Sequence, residues 1–438
     1  MPSRKGATFA IIILFLINIL NFYDRNVAGA LVEPMRKEFH LSDTQIGLLG
    51  SAFVWIYAIV GVPLGRIADF WSRKKLLALG VIVWSTLTAF AAFAGSFPLL
   101  LFSRLGVGVG EAVCAPVGTS WLGDLYPANR RARVLALFML AVPVGGALSF
   151  FFSGPIAQAW GWRAALVFAA LPAIVLVPAL LFLHEPERGA AEPMPAVREK
   201  ATVWSVLKIP TLWWIIASGI FLNFNMYAIG TFLPAFLSRV HGMTLAGSGI
   251  ATGFTYLVGG VCGGLLAGQL GDQIVLKRPD GRLLIASIIS FVGAPMAYFG
   301  MIQPAGSVLV TFLFLTTAYG ALNTYYGLVY SSIQDIVGPH QRGITMAIYF
   351  MAMYLCGASF GPLLTGRVSD YMARRAMNAA GASAMTEAFK AIGLQQAMLI
   401  IPILSVALGV VLYFGSRTIR GDIARREARV QLAMANAV

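Results

Sequence analysis

Twelve runs of roughly 20 apolar residues, each long enough to cross a bilayer, leave this chain few folds to adopt. They lie near 8–32, 45–67, 76–95, 97–121, 134–157, 163–183, 209–237, 247–271, 282–302, 307–330, 343–366 and 392–415. Lipid offers backbone N–H and C=O groups no partner, so a spanning segment must be a helix or a strand of a closed barrel. Barrel strands alternate apolar and polar residues, whereas these runs are continuously apolar. Only 11% of the residues are charged, against about 25% in soluble domains, too few to cover a globule. The expected fold is an all-α membrane protein with twelve transmembrane helices in two six-helix bundles. The first run is too long for a signal-peptide core and no small-residue cleavage site follows it. It is expected to remain as the first span.

A net charge of +14 raises the question of nucleic acid, but its distribution answers against it. Basic residues gather at alternate run ends: Arg4 and Lys5; Arg73, Lys74 and Lys75; Arg130, Arg131 and Arg133; Arg198 and Lys200; Lys277, Arg278 and Arg282; Arg342; then Arg417, Arg420, Arg425 and Arg426. This is the positive-inside pattern. It predicts a multi-pass protein of the cell (inner) membrane with both termini cytoplasmic and no nucleic-acid partner. Cys114, Cys262 and Cys356 all fall within runs, so no disulfide framework is expected. His40, His184, His241 and His340 show no ligand spacing. No metal and no cofactor is expected, and no nucleophile constellation suggests an enzyme.

A polar break at 184–207, opening with His184-Glu185-Pro186-Glu187-Arg188, separates six runs from six. It reads as a linker. The chain is accordingly expected to form an N-terminal six-helix bundle over 1–185, a cytoplasmic linker over 186–207, and a C-terminal six-helix bundle with a basic tail over 208–438. The halves share a plan. Gly61, Gly65 and Asp69 close the second run and Gly264, Gly268 and Asp272 close the eighth, each offset by 203. Asp124 and Arg131 match Asp335 and Arg342 at an offset of 211. Such parallel six-helix repeats are a transporter plan in which substrate binds between halves.

The segment Gly65-Arg66-Ile67-Ala68-Asp69-Phe70-Trp71-Ser72-Arg73-Lys74-Lys75 is close to the G-x-x-x-D-x-x-x-R-K signature of the major facilitator superfamily, and the whole chain resembles that superfamily. Glycine there is expected to permit close helix approach, with the acid set against a neighbouring helix N-terminus. Gly65, Asp69, Arg73, Lys74 and Arg131 would form a conformational-gating motif. Gly154-Pro155 and Gly361-Pro362, with Gly145-Gly146 and Gly357 upstream, fit the superfamily's hinge-and-packing motif.

Four ionisable residues stand out within runs, away from their ends: Asp24 and Arg25 in the first, Arg104 and Glu111 in the fourth. A charge at mid-helix in a bilayer costs about 2.5–3.5 kcal/mol on insertion scales, so such residues mark functional sites. Arg104 and Glu111 are two turns, about 10 Å, apart on one face. Asp24 and Arg25 point about 100° apart, so each charge needs a partner on the other helix. Depth matches Asp24 with Arg104, and Arg25 is long enough to reach Glu111; the pairing stays open. Two carboxylates beside arginines form a proton switch: protonating an acid frees its arginine for an anionic group. Gly106, Gly108 and Gly110 lie mid-run with no preceding strand, so they are no nucleotide fingerprint. They are expected to let the fourth helix press against a neighbour.

Asn21-Phe22-Tyr23-Asp24-Arg25 and Arg104-Leu105-Gly106-Val107-Gly108-Val109-Gly110-Glu111-Ala112 resemble the spinster branch of the superfamily. That resemblance implies transport of lysolipid-type molecules. It lets the coupling role be placed on Asp24, with Arg25, Arg104 and Glu111 as charge partners or headgroup contacts. With the switch above, proton coupling is expected at Asp24 and Glu111, and substrate binding at Arg25 and Arg104. In the second half, Asn223 and Tyr227 of the seventh run and Asn323, Tyr325 and Tyr326 of the tenth are polar and aromatic candidates for substrate binding, or else for interhelical packing. The expected function is a monomeric, proton-coupled secondary transporter of an amphipathic, lipid-like substrate with an anionic or zwitterionic headgroup. Its partners would be that substrate, protons and membrane lipids. The alternative is an organic-anion or sugar-acid:proton symporter of the same superfamily.

Overall fold

The computed structural model describes residues 4–188, 190, 203–275, 278–338 and 341–435. Among these, all regular structure is helical. Twelve helical spans are long and apolar enough to cross a membrane: Gly6–Ala30, Asp43–Ala68, Arg73–Ala91, Phe97–Leu125, Arg133–Trp160, Trp162–Phe182, Pro210–His241, Leu245–Gly271, Gly281–Met301, Val308–Ile336, Arg342–Ala379 and Glu387–Ala428. They correspond one for one to the apolar runs.

Local chemistry sets where several spans begin. Ser42 and Gln45 form a capping box at the second span: the Gln45 N–H donates to Ser42 Oγ at 3.2 Å and the Ser42 N–H to Gln45 Oε1 at 2.9 Å, satisfying two donors that a helix start leaves orphaned. Ser72 caps the third span and Thr244 the eighth through the same hydroxyl-to-backbone bond. A short helix, Val32–Phe39, joins the first two spans and ends at His40, whose backbone is left-handed at φ 52°.

Close contacts divide the chain into two compact units. One comprises Met1–Ala196, Ile229–Leu257 and Pro362–Leu394; the other comprises Val197–Ala228, Val258–Gly361 and Gln395–Val438. The second half of the sequence thus contributes two segments to the first unit. That unit has a core in which Val27, Leu31, Met35, Leu49, Leu100, Trp162 and Leu166 meet.

Glycine allows the first unit's helices to approach. A Cβ on Gly110 would lie 2.8 Å from the Trp84 nitrogen and 2.9 Å from the Gly80 oxygen, and one on Gly108 2.3 Å from Ile56. The fourth span therefore presses on the third and second, as its glycines suggested. The paired glycines of the fifth and eleventh spans also sit at helix crossings: Gly154 meets Leu245 and Gly249, and Gly357 meets Ile220. Gly65 differs. A Cβ there would meet nothing within 4 Å, so close helix approach does not explain that glycine, contrary to expectation.

Candidate functional site

The first and fourth spans bring all four intramembrane charges together in the first unit. Arg25 pairs with Glu111: its Nε and Nη2 both lie 3.4 Å from Glu111 Oε2. Nη2 also donates to Asn21 Oδ1, one turn back, at 3.3 Å. Its guanidinium carbon stands 4.5 Å from the centre of the Tyr57 ring, 4.7 Å from Phe22 and 5.3 Å from Phe53. Three aromatic rings thus hold the cation by their quadrupoles.

Arg104 does not make the depth-matched side-chain pair with Asp24. Its Nη1 donates to the Asp24 backbone oxygen at 3.3 Å, and its guanidinium carbon lies 5.2 Å from the Phe53 ring centre. Asp24 is fully buried, and neither carboxylate oxygen has a hydrogen-bond partner within the protein. Thr88 and Trp84 of the third span stand close enough to act on its charge, yet neither reaches hydrogen-bond geometry. Glu111 is also fully buried, and its Oε1 is unpartnered. The cluster therefore holds one closed ion pair and one unengaged carboxylate. An unsatisfied buried polar group costs about 1–3 kcal/mol, more if charged, and the surroundings of Asp24 do not offset the burial of its carboxylate by hydrogen bonds.

The polar and aromatic candidates of the second unit divide in two. Asn223 is buried and donates to the Gly219 oxygen at 3.0 Å, one turn back on its own helix. Tyr325 is buried, its hydroxyl 2.7 Å from Ser218 Oγ and 3.1 Å from the Tyr349 hydroxyl. Both make these hydrogen bonds within the second unit. Tyr227, Asn323 and Tyr326 are half-buried. Tyr227 meets Tyr354 edge to face, and Tyr326 meets both Tyr325 and Tyr330 in the same way.

In the gating motif, Arg73 is wholly buried and is a hub. It contacts the Asp124 carboxylate, donates from Nε to Glu185 at 3.3 Å, and from Nη2 to the Pro186 oxygen at 2.7 Å. Glu185 also accepts from Ser72 Oγ at 2.7 Å and from the backbone N–H of Arg73 at 2.9 Å. Burial alone would raise the Glu185 carboxyl; these hydrogen bonds outweigh it and hold the group below its ordinary 4.5. Lys74 reaches the Leu183 oxygen at 3.1 Å. The side chains of Asp69 and Arg131 lie outside the described residues.

A second buried charge network was not anticipated. Arg239 donates to Glu33 at 2.6 Å and to Asp43 at 2.9 Å, while Arg36 joins Glu33 at 3.0 Å and Glu387 at 2.6 Å. Ser369 donates to Asp43 at 2.6 Å, and Asp370 accepts the Asp43 and Thr44 backbone N–H groups at 3.0 and 2.9 Å. Within the first unit this network ties the short helix and the second span to the seventh, eleventh and twelfth. The Glu33/Arg36 spacing of three was its one local sequence signal; its other partners lie about 200–350 positions away.

Twelve membrane-length helices, with charge paired in their interior, define a multi-pass helical membrane protein. The comparisons with known proteins agree. Residues 14–362 match the model of the Major Facilitator Superfamily. The chain is 31% identical to an MFS-type efflux pump of Mycolicibacterium smegmatis, over 84% of this chain and 85% of that protein. It is 26% identical to Protein spinster homolog 1 of Xenopus tropicalis, over 84% of this chain and 74% of the relative. Among solved structures it is similar to a bacterial homolog of the human lysosomal transporter Spinster in an inward-facing, unoccupied conformation. The identity there is 27%, the TM-score 0.85, and the coverage 96% of this chain and 99% of that one. The chain belongs to the major facilitator superfamily, as a spinster-like member working by alternating access.

Proposed function

We propose that the chain is a proton-coupled transporter of an amphipathic, lipid-like molecule with an anionic or zwitterionic headgroup. It would sit in the cell (inner) membrane with both termini cytoplasmic. The observation that carries this reading is the fully buried Asp24 carboxylate, free of hydrogen bonds, beside the closed Arg25–Glu111 pair. Protonation of Glu111 would free Arg25 from its pair, leaving Arg25 and Arg104 to hold an anionic headgroup; loss of that proton would reclaim Arg25, with Asp24 carrying the coupled proton beside them. In the second unit, Asn223, Tyr227, Asn323, Tyr325 and Tyr326 would contribute polar and aromatic substrate contacts. Gly65, Asp69, Arg73, Lys74 and Arg131 would gate the cycle. The likeness to proteins named spinster supports a lipid-like substrate, and the likeness to an efflux pump supports export.

Flux into liposomes carrying the purified protein tests the substrate class. Lysophospholipid or sphingosine-1-phosphate movement that saturates and requires the protein is the expected result. Saturable uptake of a sugar acid such as gluconate, with no lipid movement, would replace this reading with the organic-anion symporter.

A further inference from the structure

We infer that Phe53 of the second span is a positioning residue of the charge cluster: its ring keeps Arg25 on Glu111 and holds Arg104 off that acid, open to the substrate's anionic group. This rests on Arg104 being a headgroup contact. One ring serves both cations. The Phe53 ring centre lies 5.3 Å from the Arg25 guanidinium carbon and 5.2 Å from that of Arg104. The ring is 2% exposed and stacks on Tyr57, one turn along the same helix, with centres 5.9 Å apart and planes at 29°. A desolvated ring attracts a cation more strongly than a surface one does.

Gly108 admits the ring. Arg104, Gly108 and Glu111 follow one another at spacings of four and three, so they share one face of the fourth span. A side chain at 108 would stand between the two charges. Instead the second span fills that place: a Cβ on Gly108 would lie 2.3 Å from Ile56 Cγ2, 2.9 Å from the Phe53 oxygen and 3.4 Å from Phe53 Cδ2. The hydrogen bonds follow this division. Arg104 stands close enough to Glu111 to act on its charge, yet Glu111 Oε1 is unpartnered and Oε2 takes Arg25. Among the described residues Arg104 donates only to the Asp24 backbone oxygen, and its Nε has no partner. Helix side chains lean toward the N-terminus, which starts Arg104 away from Glu111; Phe53 and Ile56 close the way back. The cation with the fewest bonds is the one held off the acid.

Two measurements test this, and the first needs no substrate. Arg25→Met strands Glu111 and should lower the unfolding temperature in detergent. With Phe53→Ala already present, Arg104 can reach Glu111, and the further fall should shrink by about half or more. Phe53→Val makes the same comparison if the alanine variant does not fold. An equal fall in both backgrounds would overturn the inference, since Arg104 would then be kept off Glu111 by its own helix. The second measurement is proton movement driven by lysophospholipid in liposomes. Phe53→Leu keeps most of the volume and loses the ring faces. Its KM should rise about tenfold with the maximal rate nearly unchanged, the signature of lost binding, and Phe53→Tyr should restore it. A KM unmoved in Phe53→Leu would also overturn the inference. If wild type moves no lysophospholipid, the proposed function fails, and the unfolding comparison alone decides for or against Phe53.

Discussion

Arg25 and Glu111, 86 positions apart in the chain, hold each other at 3.4 Å with the carboxylate fully buried. The pair is closed while the neighbouring Asp24 carboxylate is not engaged. This asymmetry separates two acids that composition alone would treat alike.

Breaking the closed pair should be costly. Glu111→Gln leaves Arg25 with Asn21 and the aromatic rings only, and a stranded buried charge costs about 3–5 kcal/mol. Thermal unfolding in detergent should show a clear fall for Glu111→Gln and for Arg25→Met. The double variant should recover much of the loss; simple additivity of the two would count against the pair.

Arg239 should matter to stability as much as Arg25 does. Arg239→Met removes the cation shared by Glu33 and Asp43, again at about 3–5 kcal/mol. Adding Asp43→Asn should restore part of it, because one of the two facing carboxylates is then neutral. An unfolding temperature unchanged in Arg239→Met would show the network to be incidental.

Two glycines should respond oppositely to alanine. At Gly110 the new methyl group meets backbone of the third span at 2.8 Å, and overpacking of this kind costs about 1–3 kcal/mol. At Gly65 it meets nothing within 4 Å, so stability should stay within about 0.5 kcal/mol. Unfolding temperatures of the two variants check this, and transport lost in Gly65→Ala despite normal stability would mark a role in motion.

The Arg73–Glu185 clasp carries a pH dependence with a definite sign. Glu185 is held below its ordinary 4.5, so the folded state binds this proton less readily than the unfolded one. Its contribution is fully present above about 4.5 and is lost as pH falls through the lower folded value. Wild type should lose stability relative to Glu185→Gln between pH 5 and pH 3, as about two units around that value allow. Parallel curves over that range would exclude the clasp as a contributor.

Much of this was legible in the chain because membranes constrain sequence so strongly. Every span was visible as an apolar run, and the four intramembrane charges stood out against lipid-compatible surroundings. The fourth-span glycines likewise announced close packing. The pairing was not legible: helix geometry sets depth and facing but not side-chain reach, so Asp24–Arg104 and Arg25–Glu111 looked equally available. In the structure Arg104 takes the Asp24 backbone oxygen instead. Arg239 was invisible because its partners, Glu33 and Asp43, lie some 200 positions away at span ends, where charge is ordinary. Glu185 stood only as the end of the N-terminal bundle, since nothing local signals that Ser72 and Arg73 claim it.

If Asp24 carries the coupled proton, neutralising its carboxylate must abolish coupling. Wild type and Asp24→Asn are reconstituted in liposomes enclosing a pH-sensitive dye and challenged with lysophospholipid. Wild type should show substrate-dependent proton movement and Asp24→Asn none, with an unfolding temperature no lower in the variant, since a neutral amide relieves an unsatisfied buried charge. Substrate movement without protons, unchanged by Asp24→Asn, would contradict it and leave the charge cluster as architecture.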